Sequence, residues 1–187
     1  MSTELIILLI AAGVLLLSYM IIYNNLVSKK NQTEYADGAV NAMFKKRYDL
    51  IPNLAATVKQ YMRHERELLE KLAALRSGNI PAGDPDRMRE WEQSYQDAMK
   101  SFRLTVENYP DLKAGQQFLN LQASLNECEA QLAAARRTSN AAVTAYNNAL
   151  EMFPSNIVAS FMKYQRKNVT EASTQERQNP NVGDLFQ

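Results

Sequence analysis

An uninterrupted apolar run near the N-terminus constrains this 187-residue chain more than any other feature. The eighteen residues from Leu5 to Ile22, LIILLIAAGVLLLSYMII, include no charged side chain. As an α-helix they span ~27 Å at ~1.5 Å per residue, close to the thickness of the bilayer hydrocarbon layer. The run therefore predicts a transmembrane anchor within residues 1–28. The side chains that we expect to contact membrane lipid include Leu5, Ile6, Leu9, Val14, Leu16, Tyr19 and Ile22.

A cleaved signal peptide is the alternative interpretation of this run. Such a peptide has a shorter apolar core, basic residues before it and small residues at a cleavage site after it. Here the run follows Met1–Glu4 and leads into Tyr23, Asn24 and Asn25. Tyr19 and Tyr23 lie near its end, where amphipathic rings prefer the headgroup layer. These features favour an uncleaved, single-pass anchor.

The charges that flank the run predict its orientation. Glu4 precedes the run, whereas Lys29 and Lys30 follow it and Lys45–Arg47 form a further basic cluster. Basic flanks tend to remain in the cytoplasm. We therefore expect the N-terminus outside and the chain after Ser28 in the cytoplasm.

Beyond residue 28 the sequence is typical of an all-α protein. Apolar residues recur at alternating spacings of three and four, which is the periodicity of packed long helices. The predicted fold is an N-terminal transmembrane helix, an antiparallel, coiled-coil-like bundle over 29–163, and an irregular tail over 164–187. The bundle helices are predicted at about 29–77, 84–109, 112–153 and 155–162. Pro52 is expected to kink the first of them without ending it, because the apolar pattern continues on both sides.

The apolar stripes of these helices identify the expected core. In the first helix the stripe consists of Phe44, Ile51, Leu54, Val58, Tyr61, Leu68, Leu72 and Leu75. In the third helix it consists of Phe118, Leu121, Leu125, Cys128, Leu132, Ala135, Ser139, Ala142, Tyr146, Ala149 and Phe153. At ~1.5 Å per residue the three long helices measure about 70, 36 and 63 Å. The third stripe therefore extends beyond any expected partner in the chain, and a long exposed apolar band predicts self-association.

Three segments of the sequence resemble the LemA family. They are YNNLVSKKNQ at Tyr23–Gln32, KKRYDLIPNLAATVKQYMRHE at Lys45–Glu65, and ARRTSNAAVTAYNNALEMFPSNIVA at Ala135–Ala159, followed by a closing NPNV at Asn179–Val182. One departure is Thr138-Ser139, where the family more often has bulky aromatic residues. The motif and structural residues within these segments are Arg47, Asp49, Leu50, Pro52, Asn53, Glu65, Arg136, Tyr146, Asn147, Phe153 and Pro154. The resemblance implies a bacterial membrane protein with an antiparallel helical domain, and it implies no reaction.

The residues offer no recognisable catalytic, metal or cofactor site. His64 is the only histidine, and Leu68 stands where a zinc-binding helix would carry a second one. Cys128 falls on the apolar stripe of the third helix, so a small buried side chain is the better interpretation than a nucleophile. Lys and Arg total 21 against 20 Asp and Glu, which gives no electrostatic reason to expect nucleic acid as a partner. We expect a protein that is not an enzyme and holds no cofactor.

Two charged residues interrupt the apolar stripes and invite a structural role. Arg47 is predicted to pair with Glu127 or Glu129, and Glu65 with Arg136 or Arg137, because buried charges are costly unless paired and can fix the register of helices. The alternative is that both side chains extend to solvent.

Three functions remain open at this point. The first is a membrane-anchored scaffold that assembles into a homo-oligomer at the bacterial cytoplasmic membrane. The second is an enzyme, which the missing catalytic groups disfavour. The third is an accessory of an envelope-stress or signalling system that binds another protein through its helix faces.

Overall fold

The computed structural model describes residues 2–77 and 85–169. Within these ranges the chain is helical and contains no strand, which confirms the all-α prediction. The helices are α1 (Thr3–Tyr61), α2 (Arg66–Ser77), α3 (Pro85–Val106), α4 (Pro110–Lys113), α5 (Gln116–Glu151) and α6 (Ser155–Phe161). The predicted helix start at residue 84, the closing NPNV at Asn179–Val182 and the rest of the tail from residue 170 lie outside the described residues.

Helix α1 joins the apolar run to the rest of the protein without a break. It continues past Ile22 and through Pro52, so Pro52 does not end the helix, as predicted. None of the apolar 18-residue window is buried, and by length and composition this helix could cross a membrane.

The single helix predicted over 29–77 is wrong, because α1 ends at Tyr61 and α2 begins at Arg66. The interruption changes which side chain faces the core. Met62 is fully buried, whereas the predicted core residue Tyr61 is 40% exposed. Leu68, Leu72 and Leu75 are buried as predicted. Because no Gly or Pro marks the four-residue interruption, spacing alone did not reveal it.

A second interruption separates α3 from α5. Pro110 follows the end of α3 and occupies the first turn of α4, where its missing N–H costs no helical hydrogen bond. Gly115 then connects α4 to α5, and its N–H donates to the Leu112 carbonyl at 2.9 Å. A Cβ at Gly115 would lie 3.1 Å from that same oxygen, so this tight turn favours glycine.

The described residues form two compact units. One lies within Ala39–Ala134, and the other lies within Met1–Gly38 and Ala135–Gln187. The core of the first unit is lined by residues of α1, α2, α3, α4 and α5, including Phe44, Leu54, Val58, Leu72, Trp91, Tyr95, Phe102, Leu112 and Leu125.

The second unit overturns the prediction that the stripe of α5 lacks a partner in its own chain. Ala149 of α5 shares a buried cluster with Leu26 of α1, and the Ser139 hydroxyl donates to Asp37 at 2.8 Å. Tyr146 is only 3% exposed. The stripe is therefore covered within the monomer, because α5 runs back along α1 as far as Leu26. Phe153 is the exception: it follows the end of α5 and is 80% exposed, so its predicted core position is wrong.

Candidate functional site

Arg47 is the most deeply buried charged side chain described, with 1% of its side chain exposed. It projects from α1 between two carboxylates on two other helices. Its Nη1 group donates to Glu92 of α3 at 2.5 Å, and its Nη2 group donates to Glu129 of α5. The predicted pairing of Arg47 with Glu129 is thus confirmed, and Glu92 is a partner that sequence reasoning missed.

Both carboxylates occupy comparable positions in the sequence. Glu92 directly follows the buried Trp91, and Glu129 directly follows the buried Cys128. A carboxylate beside a stripe residue on each of two neighbouring helices is the signal that could have identified the pair, because flanking positions are where packed helices exchange ion pairs.

Aromatic rings complete the surroundings of the guanidinium. The Arg47 Cζ atom lies 4.5 Å from the ring centroid of Tyr95 and 5.8 Å from that of Phe44. Trp91 continues this layer, with its centroid 4.7 Å from Phe44 and 5.3 Å from Tyr95. Such rings attract a cation through their electron-rich faces. Arg47 is therefore held by two ion pairs and by aromatic packing.

The electrostatics of this cluster indicate a structural role. Burial disfavours the charged guanidinium, but the carboxylates of Glu92 and Glu129 outweigh it, and the pKa of Arg47 is raised. Burial and the nearby Glu129 carboxylate raise the pKa of the Tyr95 phenol. Burial also raises the pKa of the Cys128 thiol, whose Sγ approaches the Met43 carbonyl at 3.7 Å. A thiol held protonated is a poor nucleophile.

Glu65 has a different partner from the one predicted. It lies between α1 and α2, and its carboxylate accepts a hydrogen bond from the Tyr109 hydroxyl at 3.0 Å. The predicted pairing with Arg136 or Arg137 assumed that Glu65 belongs to a continuous helix, which the interruption after Tyr61 excludes.

The other motif residues of the segment Lys45–Glu65, which are Asp49, Leu50, Pro52 and Asn53, lie on α1. Asp49 is exposed and pairs with Lys45 at 3.1 Å, one helical turn away. Leu50 packs against the core from its edge, whereas Asn53 is exposed.

A hydrogen-bonded clasp closes the second unit at its C-terminal side. The buried Asn147 side chain donates to the Lys167 carbonyl at 2.8 Å and accepts from the Lys167 N–H at 3.0 Å. The Lys167 Nζ group donates to Thr33 at 2.6 Å. The neighbouring Tyr146 hydroxyl donates to the Gln165 carbonyl at 3.2 Å. The sequence prediction included Tyr146 and Asn147 but missed Thr33 and Lys167, because it treated 164–187 as an irregular tail.

A left-handed residue redirects the chain into this clasp. Lys163 follows α6 with a φ of 54°, and the next N–H, that of Tyr164, donates back to the Ala159 carbonyl at 3.1 Å. This is a common way to end a helix, although glycine is the usual residue in that conformation. The chain after α6 is thereby directed along α5.

Comparison with known proteins identifies the family to which these helices belong. The LemA family profile matches residues 36–183, a range that includes the Arg47 cluster and all residues of the clasp except Thr33. The chain belongs to the LemA family. Protein LemA of Metamycoplasma hominis is 25% identical over 181 residues, which cover 95% of this chain and 81% of that protein. The resemblance predicted from the sequence is therefore confirmed.

Several residues that the LemA resemblance singled out do not join one site. Arg47 lies in the unit Ala39–Ala134, whereas Arg136, Tyr146, Asn147, Phe153 and Pro154 belong to the other unit. Arg136 is half-buried and Pro154 is exposed. Within residues 2–77 and 85–169, no group of three or more His, Cys, Asp or Glu side chains is placed to hold a metal ion. Of the motif residues in this LemA family member, Arg47 thus holds three helices together, and Tyr146 and Asn147 form the clasp.

Proposed function

We propose that this LemA family member is a non-enzymatic, membrane-anchored helical scaffold of the bacterial cytoplasmic membrane. The observation that carries the proposal is the continuity of α1. The same helix presents an apolar run with no buried residue and then supplies Leu26 and Phe44 to the cores of the two compact units. An apolar surface of this length requires surroundings other than water, and a bilayer matches its length.

The non-enzymatic part of the proposal is supported by how the perturbed polar groups are used. Arg47, Tyr95 and Cys128 are buried beside one another, and Glu92 and Glu129 neutralise the charge of the guanidinium. A catalytic site instead presents perturbed groups to a cleft that a substrate can enter. These three groups therefore serve the packing of three helices.

The cytoplasmic orientation of the helical body is supported by further cations in the second unit. Lys29 and Lys30 follow the apolar run, and Lys163 and Arg166 come from the segment after α6 in the same unit. Cations near the end of a span favour the cytoplasmic side and attract anionic lipid headgroups.

Anchoring can be tested by placing charges within the apolar run. Val14→Asp together with Leu16→Asp should release the protein from membranes, because each charge near the middle of a span costs about 2.5–3.5 kcal/mol. The measurement is the fraction of full-length protein that remains in membranes after carbonate extraction. Val14→Leu with Leu16→Ile is the matched control and should remain membrane-bound. Equal retention of both variants would contradict anchoring by this helix.

Self-assembly into a homo-oligomer is the second part of the proposal. It is supported by exposed apolar side chains outside the apolar run, among them Leu104 at 66% and Leu119 at 44% exposure. We expect the full-length protein in mild detergent to have a uniform particle mass that is a multiple of the monomer mass. Leu104→Asp with Leu119→Asp should lower that mass. A wild-type monomer would contradict self-assembly and leave an anchored adaptor that binds a different protein.

A further inference from the structure

Exposed apolar side chains concentrate at the turn between α5 and α6. Met152 is 63% exposed, Phe153 80%, Ile157 50% and Phe161 79%, and all four fall within Met152–Phe161. We call these four side chains the apolar turn. Single exposed apolar residues are ordinary on protein surfaces, but several close together in the sequence favour an interaction site.

The packing of the second unit fixes where the apolar turn lies along α1. Asp37 contacts Ser139, and eleven residues earlier Leu26 shares a buried cluster with Ala149, ten residues further along α5. The two helices therefore run antiparallel in register. Ile22 and Tyr23, at the end of the apolar run, pack against this same cluster, to which α6 contributes Val158 and Ala159. The apolar turn thus lies level with the end of the apolar run.

The short helix α6 separates a face that packs on α1 from a face that does not. Val158 and Ala159 are buried in the cluster with Leu26. Ile157 and Phe161 are four residues apart and so lie on one face of the helix, where both are exposed. Helix α6 is therefore attached to α1 by one side while it presents apolar side chains on another.

Basic side chains follow both the apolar run of α1 and helix α6 in the sequence. Lys29 and Lys30 follow the apolar run by two turns of α1, and Lys163 and Arg166 follow α6. Lys30 also pairs with Glu34 at 3.6 Å and Arg166 with Glu151 at 2.6 Å, and these pairs are exposed. Lys30 lies 6.0 Å from the ring centroid of Tyr164, which itself packs against the Leu26 cluster. Cations behind an apolar surface match the order of a bilayer, where anionic headgroups lie outside the acyl chains.

We propose that the apolar turn inserts into the headgroup and upper acyl region of the membrane beside the exit of α1. This inference rests on the proposed anchoring by α1 and adds a second membrane contact, which would hold the α5–α6 end of the protein against the bilayer. Lipid is the occupant because the turn is level with Ile22 and adjoins the exposed apolar run. Interfacial segments of this kind penetrate ~5–10 Å into the boundary between headgroups and acyl chains.

Depth-dependent fluorescence quenching tests the insertion in the full-length protein. Phe153→Trp places an indole in the turn, and Tyr35→Trp is the matched control. Tyr35 has a comparable exposure of 82% but lies thirteen residues past Ile22, ~20 Å along α1. Each variant is reconstituted into phosphatidylcholine–phosphatidylglycerol vesicles with lipids brominated near the headgroup or deep in the chain. Wild-type protein supplies the background emission of the buried Trp91.

We expect shallow brominated lipids to quench the added emission of Phe153→Trp more than deep ones do, and aqueous acrylamide to quench it weakly. Tyr35→Trp should show the opposite, with strong acrylamide quenching and little effect of bromine. Phe161→Trp provides an independent second reporter of the same turn, and both substitutions replace exposed side chains, so unchanged circular dichroism is expected.

The outcomes separate this inference from the anchoring on which it depends. If wild-type protein does not float with vesicles, anchoring itself fails and the inference fails with it. If the protein floats but acrylamide quenches Phe153→Trp as strongly as Tyr35→Trp, anchoring stands and insertion is overturned. If neither bromine nor acrylamide quenches Phe153→Trp, another protein surface covers the turn, such as a second copy of the chain, and insertion is again overturned.

Discussion

The paired Arg47 side chain adds little net stability to the protein, but its removal is expected to be strongly destabilising. Its guanidinium is fully desolvated and relies on Glu92 and Glu129 for compensation. Ion pairs in a protein interior contribute little net stability relative to a well-packed apolar group, yet removing one member leaves the others uncompensated. The cluster therefore specifies how α1, α3 and α5 align, because another alignment would leave these buried charges without partners.

Arg47→Met should destabilise the unit Ala39–Ala134 by about 3 kcal/mol, the lower end of the range for a broken buried pair. The lower end applies because Glu129 keeps 35% of its side chain exposed. Urea unfolding followed by Trp91 fluorescence measures the change within the same unit. Lys45→Met breaks the exposed pair with Asp49 and should cost less than about 1 kcal/mol. Equal effects of the two substitutions would contradict a special role for Arg47.

A compensating variant separates the loss of charge from the loss of packing. Adding Glu92→Gln and Glu129→Gln to Arg47→Met removes both uncompensated carboxylates. The combined variant should recover part of the lost stability, since neutral amides tolerate a desolvated position better than charges do. No recovery would indicate that the shape of the arginine side chain, rather than its charge, maintains the core.

Tyr95 makes the stability of the same unit sensitive to alkaline pH. Its pKa is raised in the folded protein, so its contribution is intact below the ordinary tyrosine pKa and is lost as pH rises above that value. Above about pH 10 the free energy of unfolding should fall by up to about 1.4 kcal/mol per pH unit through this group. Tyr95→Phe should flatten that slope, as measured by urea unfolding at a series of pH values.

Cys128 provides a control for this pH dependence, because burial raises its pKa as well. Its contribution has the same sign but begins at the ordinary thiol pKa of about 8.5. Cys128→Ala should therefore remove the loss of stability that begins at about pH 8.5. The loss through Tyr95, which begins at about pH 10, should remain. A slope above pH 10 that persists in Tyr95→Phe would assign the effect to other groups.

At the scale of elements, the clasp explains why the segment after α6 follows α5. Asn147 is 6% exposed and satisfies both backbone groups of Lys167. Asn147→Ala should cost about 1–3 kcal/mol for two hydrogen bonds and free this segment. Hydrogen exchange at the Lys167 amide is the direct measurement, and exchange should accelerate. The neighbouring Asn148 is exposed, so Asn148→Ala should leave the rate unchanged; acceleration in both variants would argue against the clasp.

Helix positions could be predicted where a repeated apolar spacing defined a face. The stripe predicted for the second bundle helix consists of Met88, Trp91, Tyr95, Ala98, Phe102, Thr105 and Tyr109. Trp91, Tyr95, Ala98 and Phe102 are buried, and the other three are half-buried. The interruption between α1 and α2 could not be predicted in this way. Met62 differs from the predicted stripe residue Tyr61 by only one position, and the Glu65–Tyr109 hydrogen bond is a tertiary contact that local spacing does not encode.

The candidate site was predictable to the extent that charge and burial conflicted in the sequence. A charged residue on an apolar stripe requires a partner, and Glu129 is one of the two partners predicted for Arg47. Glu92 was overlooked because it stands beside the stripe of α3, and its reach depends on how α3 rotates against α1. The predicted core position of Phe153 was wrong for a related reason. The apolar spacing continues past Glu151, but α5 ends there and the turn before α6 exposes this side chain.

At the scale of the whole molecule, the apolar run and the helical body share α1, and this changes how the length of α5 is interpreted. Counted from residue 29, α5 was too long for its partners, and self-association followed as an explanation. In the structure α1 supplies Leu26 and Asp37 to the second half of α5. This partner was not predicted because α2 returns beside α1, with the Tyr48 hydroxyl donating to the Arg76 carbonyl, and α5 therefore runs back along α1.

The orientation of the whole chain is the last prediction. We expect the N-terminus outside and the helical body inside, because Lys29 and Lys30 follow the run while Glu4 precedes it. In a Cys128→Ala background, Ser2→Cys should react with a membrane-impermeant maleimide in intact cells, whereas Val169→Cys should not. Ser2 and Val169 are both exposed in the protein, so both should react once the membrane is permeabilised. If only Val169→Cys were labelled in intact cells, the orientation would be the opposite of the predicted one. The apolar turn would then contact the outer leaflet, where fewer anionic lipids are available to the cations beside it.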